Sequence, residues 1–162
     1  MKNPAVHTYA ITLQWTGNTG SGTRDYRAYS RDHLISIDNK VTIAGSSDPA
    51  FRGDHTKHNP EELFVSAIAS CHMLWYLHLC ADAGVVVTDY SDHALGEMTE
   101  TEGPGKTGGG RFTSVTLNPR VTVSASHMIE KAIALHEKAN EQCFIANSLN
   151  FPVRHRPVVK AM

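Results

Sequence analysis

The chain has 162 residues, 41% hydrophobic and 19% charged, a balance that fits one globular domain and excludes a disordered or fibrous chain. Fifteen basic and sixteen acidic residues leave a formal net charge of −1. The basic residues are scattered, so no footprint for nucleic acid or an anionic membrane surface is present.

The opening stretch through Thr8 has no apolar core and no small-residue cleavage site. No secretory signal is expected, and the cytoplasm is the expected location. Residues 7–15 alternate apolar and polar side chains and predict a strand, followed by a turn over 17–22. Residues 26–30 and 34–37 predict a hairpin or meander, with a turn at 38–40 and a short strand over 41–44. The Gly-, Ser-, Asp- and Pro-rich stretch 45–59 predicts a long loop.

Asn59-Pro60-Glu61-Glu62 marks a helix start: Asn59 caps, Pro60 suits the first position, and two acids face the positive end of the dipole. The helix is predicted to run to about residue 83, with Gly84 as its stop. Residues 63–81 are apolar over nearly a membrane's thickness. Ser66, Ser70, His72 and His78 interrupt them, acids flank them and no basic cluster does, so a buried core helix is expected rather than a span.

A strand is predicted over 85–90, extended through 94–98. The loop 99–110 contains Gly105-Lys106-Thr107, but the earlier glycine of a phosphate loop would fall on Glu100 and a strand follows, so a plain loop is expected. Residues 112–117 and 120–123 predict strands. A second helix over 128–146, capped by Ser124 or Ser126, carries Ile129, Ala132, Ile133, His136 and Cys143 on its apolar face. Residues 151–159 predict an edge strand, kept from a sheet centre by Pro152 and Pro157. The order of elements is that of an α+β fold.

Three cysteines, an odd number, argue against a structural disulfide framework. Cys71 and Cys80 stand nine positions apart on one helix, project from opposite faces and cannot bridge without unwinding it. Cys80 is therefore expected to be structural. Cys71 and Cys143 lie on different helices, whose packing could bring them together; taken singly, each has the ordinary fate of a small buried hydrophobe. None of the ten histidines shows a metal-ligand spacing. His72 points about 100° away from Cys71, and His136 stands two turns, about 10 Å, from Cys143, so neither pair is placed for a Cys-His hydrolase.

Asn59-Pro60-Glu61-Glu62-Leu63-Phe64, followed by Ala69-Ser70-Cys71-His72, resembles the helix signature around the first cysteine of the OsmC/Ohr family of thiol-dependent hydroperoxide reductases. Residues 136–149, with Cys143-Phe144-Ile145-Ala146-Asn147-Ser148, are similar to the segment carrying the family's second cysteine. Cys71-His72-Met73 and the long 45–58 loop resemble the broader OsmC-like branch more than Ohr proper. The resemblance covers almost the whole chain. It implies a single OsmC-like domain over 1–162, with antiparallel sheets around a long buried central helix, and an intertwined homodimer with two active sites at the subunit interface.

The resemblance also implies a thiol peroxidase of oxidative or osmotic stress defence. Cys71 would be the peroxidatic thiolate that reduces an organic hydroperoxide to an alcohol. Cys143 would resolve the resulting sulfenic acid to a disulfide, which an external dithiol then reduces. No metal or organic cofactor is implied. The family uses an arginine held by a glutamate to favour the thiolate, and Glu61 matches the glutamate. Arg24 resembles the Ohr placement of that arginine and Arg52 the OsmC placement; both stay open, and Arg27 and Arg31 lie where they could substitute. Glu61 and Cys71 are ten positions apart on one helix, about 15 Å, so Glu61 is expected to serve Cys71 of the other subunit. Apolar residues on both helices favour alkyl or lipid hydroperoxides over hydrogen peroxide. The competing reading is a binding or structural module on the same fold, with silent cysteines.

Overall fold

The computed structural model describes residues 5–101 and 109–162, and the chain divides into two compact units, Met1–Leu63 and Phe64–Met162. Gly105-Lys106-Thr107 lies outside the described residues.

In the first unit, β1 (Thr12–Trp15), β2 (His33–Ser36) and β3 (Ile43–Gly45) form an antiparallel sheet in that order. Trp15 pairs with His33, and His33 with Gly45. The expected strand over 26–30 is absent; the segment turns instead. Arg31 donates to the carbonyls of Tyr26 (2.7 Å) and Tyr29 (2.6 Å) and stands 4.2 Å from the centre of each of their rings. Asp25 Oδ1 accepts the backbone N–H of Arg27 at 2.8 Å. Side chains have taken backbone groups that a strand ladder would use. The 45–58 loop is tied back at both ends: Ser46 N–H donates to the carbonyl of His58 at 2.9 Å, and Lys57 Nζ sits 2.6 Å from Asp32 and 3.3 Å from Asp54.

Helix α1 (Pro60–Asp82) starts where the sequence predicts. At its end Gly84 takes φ +72°, and Val85 N–H reaches back to the carbonyl of Cys80 at 2.8 Å. Only Ile68, His72, Tyr76 and Cys80 are buried, each four residues after the last. The expectation of a helix buried all round is therefore not met by this chain's own residues: one i, i+4 stripe is covered, while Leu74 stands 63% exposed. Among the described residues α1 alone is long and apolar enough to cross a membrane.

The second unit adds β4 (Val87–Asp92), β5 (Leu95–Glu100), β6 (Gly110–Leu117), β7 (Pro119–Val123), α2 (Ile129–Gln142), β8 (Val153–His155) and β9 (Val158–Ala161). They make two sheets, β4-β7-β9 and β5-β6-β8. β4 with β7 and β5 with β6 are antiparallel, but β6 with β8 and β7 with β9 are parallel, so the all-antiparallel expectation is corrected. The last strand divides as well. Pro157 has no N–H to continue a ladder, and the chain passes there from one sheet to the other.

The stripe on α1 contributes to two cores. Tyr76 and Cys80 pack with Val85, Val121, Val123, Ala132, Leu135 and Ala139; Ile68 packs with Val115, Leu117 and Val153. Helix α2 stops short of its expected end at 146. Cys143 leaves the helical region (ψ 109°), and the N–H of Ala146 closes on its sulfur at 3.4 Å.

Candidate active site

Cys71 lies midway along α1 and is half-buried, whereas Cys143, just past the end of α2, is 0% exposed. The fold brings them together: the two thiols lie close enough for the Cys71 side chain to raise that of Cys143. Burial first, and then the neighbouring Cys71 thiol, push the Cys143 thiol up to about 11, outweighing the N–H groups of Ala146 and Ile145 that favour its anion. Cys143 therefore holds its proton at neutral pH. Cys80 is buried in the core against the Tyr76 hydroxyl, its thiol raised by desolvation, and all three cysteines are free. The structural role expected for Cys80 agrees with that placement.

Beside the thiols lies a pair of buried histidines that no motif in the sequence marks. His72 Nε2 and His136 Nδ1 are 3.0 Å apart, and the two residues are 1% and 0% exposed. Tyr76, one turn after His72, stacks its ring on His136 with centroids 3.8 Å apart. His155 completes the group, 5.7 Å from His72 and 6.3 Å from His136 between ring centres. Desolvation lowers His72 to about 4 and His136 to about 3, with the neighbouring imidazoles acting in the same direction, so both rings are neutral at pH 7. The available signal was spacing: position 72 continues the i, i+4 stripe, and 136 sits on the apolar face of α2.

Cys71, Leu74, Trp75 and His78 fall at i, i+3, i+4 and i+7, along one face of α1. Leu74, Trp75 and His78 line a shallow recess of about 230 Å³. Phe144, next to Cys143, sets its ring edge-on to Trp75 at 5.6 Å. The recess wall is thus aromatic and apolar, with His78 held 3.4 Å from Asp82 at its far end.

The other candidate residues belong to the first unit. Arg24 is exposed in the loop before β2; Arg52 is exposed at the end of a short 3-10 turn, with φ +67°. Arg31 is committed to Tyr26 and Tyr29 and is not available as a substitute. Glu61 stands in the first turn of α1, and among the described residues neither Arg24 nor Arg52 forms an ion pair with it. Among those residues, too, no group of three or more His, Cys, Asp or Glu side chains could hold a metal ion.

The two thiols at the positions marked by the sequence signature, one half-buried and one buried, thus lie near each other. The family model of OsmC-like proteins matches residues 53–157. The chain belongs to the OsmC-like protein family. An OsmC-like protein of unknown function from Vibrio cholerae is 29% identical to this OsmC-like chain, covering 94% of this chain and 100% of that one, with a TM-score of 0.82. An organic hydroperoxide resistance protein from Elizabethkingia anophelis, solved with thiocyanate bound, is 18% identical over 96% of this chain and 99% of its own, with a TM-score of 0.64. A putative organic hydroperoxide resistance protein from Vibrio cholerae, with captopril bound in one of its active sites, is 20% identical over 98% and 96%, with a TM-score of 0.59. The last two share the fold. No curated protein matches the chain.

Proposed function

We propose that this OsmC-like chain is a thiol-dependent peroxidase for organic hydroperoxides, and the observation that carries the proposal is the proximity of half-buried Cys71 to buried Cys143. The Cys71 thiolate attacks the outer oxygen of the peroxide and the O–O bond breaks. The alkoxide leaves, takes up a proton and becomes the alcohol, and Cys71 becomes a sulfenic acid. The Cys143 thiol then displaces water from that sulfur, forming the Cys71–Cys143 disulfide, and an external dithiol returns both to thiols by exchange. Order follows from exposure: the substrate reaches the accessible sulfur, and the buried, protonated sulfur resolves.

The aromatic recess of Leu74, Trp75 and His78 supports an apolar alkyl or lipid hydroperoxide over hydrogen peroxide. Exposed Leu74 on α1, together with exposed Tyr9, Ile11 and Leu13 ahead of β2, supports a homodimer that covers them. Glu61 with Arg24 or Arg52 remains the proposed source of the cation that holds the Cys71 thiolate, in stress defence in the cytoplasm.

Peroxide consumption with a dithiol reductant tests the reading. Wild type should consume cumene hydroperoxide faster than hydrogen peroxide. Cys71→Ser should lose turnover, and Cys143→Ser should reduce about one equivalent of peroxide and stop. Wild type that consumes neither peroxide is instead a module with silent cysteines.

A further inference from the structure

We infer that the His72–His136 hydrogen bond is a positioning tie that fixes the approach of Cys71 and Cys143, an inference that rests on the disulfide step proposed above. The imidazole bond and the thiol contact join the same two helical segments. His72 is the neighbour of Cys71 on α1, and His136 lies two turns before Cys143 on α2. One residue apart on α1 and seven apart on α2, the two junctions fit helices that cross rather than run alongside each other.

The arrangement is poorly explained as packing alone. His72 Nδ1 and His136 Nε2 are buried without a hydrogen-bond partner. A buried ring nitrogen left unpaired costs free energy that two apolar side chains of similar size would not incur. What the pair supplies in exchange is direction. Apolar contacts tolerate sliding, whereas a 3.0 Å imidazole–imidazole bond does not. The hold is also two-sided. α1 grips the edge of the His136 ring with His72 and covers its face with Tyr76, one turn further on, at an interplanar angle of 13°. Translation of α2 along α1 breaks the edge contact, and rotation of the ring breaks the face contact. Cys143, two turns along α2, is carried with it.

Amide substitutions test the tie without removing polarity. At position 72, His72→Gln places an amide where Nε2 stood and keeps the bond, whereas His72→Asn reaches only the Nδ1 position and loses it. At position 136 the order reverses: His136→Asn replaces Nδ1, and His136→Gln does not. The readout is the equilibrium constant for the Cys71–Cys143 disulfide in dithiothreitol redox buffers, where two protein thiols and oxidised dithiothreitol exchange to the protein disulfide and reduced dithiothreitol. It is measured on variants whose near-ultraviolet circular dichroism matches wild type. His72→Asn and His136→Gln should each lower the constant about tenfold, a small part of the effective molarity that holding two reacting groups in place supplies. His72→Gln and His136→Asn should stay within about threefold of wild type. Sulfenic acid formation at Cys71, trapped with dimedone in a Cys143→Ser background, should be unchanged by all four. Equal constants across the four variants, or the opposite order at either position, overturn the tie. Wild type that forms no disulfide in these buffers overturns the proposed resolving step itself, a separate result because no peroxide is present.

Discussion

Asn59 Oδ1 accepts the backbone N–H of Glu62 at 2.8 Å, and Glu62 Oε2 accepts the backbone N–H of Asn59 at 3.2 Å. This is a reciprocal capping box, and it anchors the end of α1 from which Glu61 projects. Asn59→Ala should cost about 1 kcal/mol of unfolding free energy in a urea titration, and Asn59→Asp should recover most of it because a carboxylate both caps and meets the dipole.

At the other end of α1 the stop is conformational. Gly84 sits at φ +72°, and a Cβ built there meets nothing within 4 Å. Gly84→Ala therefore adds strain without a clash. A loss of about 1 kcal/mol, seen as a lower thermal midpoint, is expected from the left-handed backbone alone.

These two ends show why α1 was legible in the sequence. Its start and stop depend on residues within three or four positions, and local chemistry is what a sequence displays. The Cys71–Cys143 contact was only half legible. The motif marked both cysteines, but their meeting depends on how α1 and α2 cross, which no local pattern encodes. The turn over 26–30 was misread because Arg31 reaches back to the carbonyls of Tyr26 and Tyr29, a side-chain contact that alternation of polar and apolar residues does not reveal. The imidazole pair was missed for the same reason as the helix crossing: 64 residues separate His72 from His136. Parallel pairing of β8 and β9 likewise follows from where the tail returns, not from its composition.

Thiol alkylation should separate the three cysteines. Cys71 is half-exposed, Cys80 and Cys143 are buried, and the Cys143 thiol is held up to about 11. Since the thiolate is the reactive form, native protein at pH 8 should take one iodoacetamide at Cys71, with Cys80 and Cys143 modified only after denaturation. Peptide mass spectrometry reads the sites directly. Modification of Cys143 at the rate of Cys71 would contradict the burial order on which the assignment of attacking and resolving thiols depends.

Acid should destabilise the second unit through the imidazole pair. In the unfolded chain each histidine takes a proton near 6.5, whereas in the fold His72 does so only at about 4 and His136 at about 3. Between those values and 6.5 the unfolded state binds more protons than the folded one, so stability falls as pH falls. Above about pH 7.5 neither state is protonated at these rings, and their contribution is flat. Each depressed imidazole adds a slope approaching roughly 1.4 kcal/mol per pH unit. A proton on His72 also opposes protonation of His136, so the second proton is harder to place than the first. The midpoint of urea denaturation should therefore fall steadily from pH 6.5 to pH 4.5. In His72→Gln, which retains an amide but cannot titrate, the slope over that window should drop by about half. A wild-type midpoint constant from pH 7 to pH 4.5 would show that the pair is not held neutral by burial.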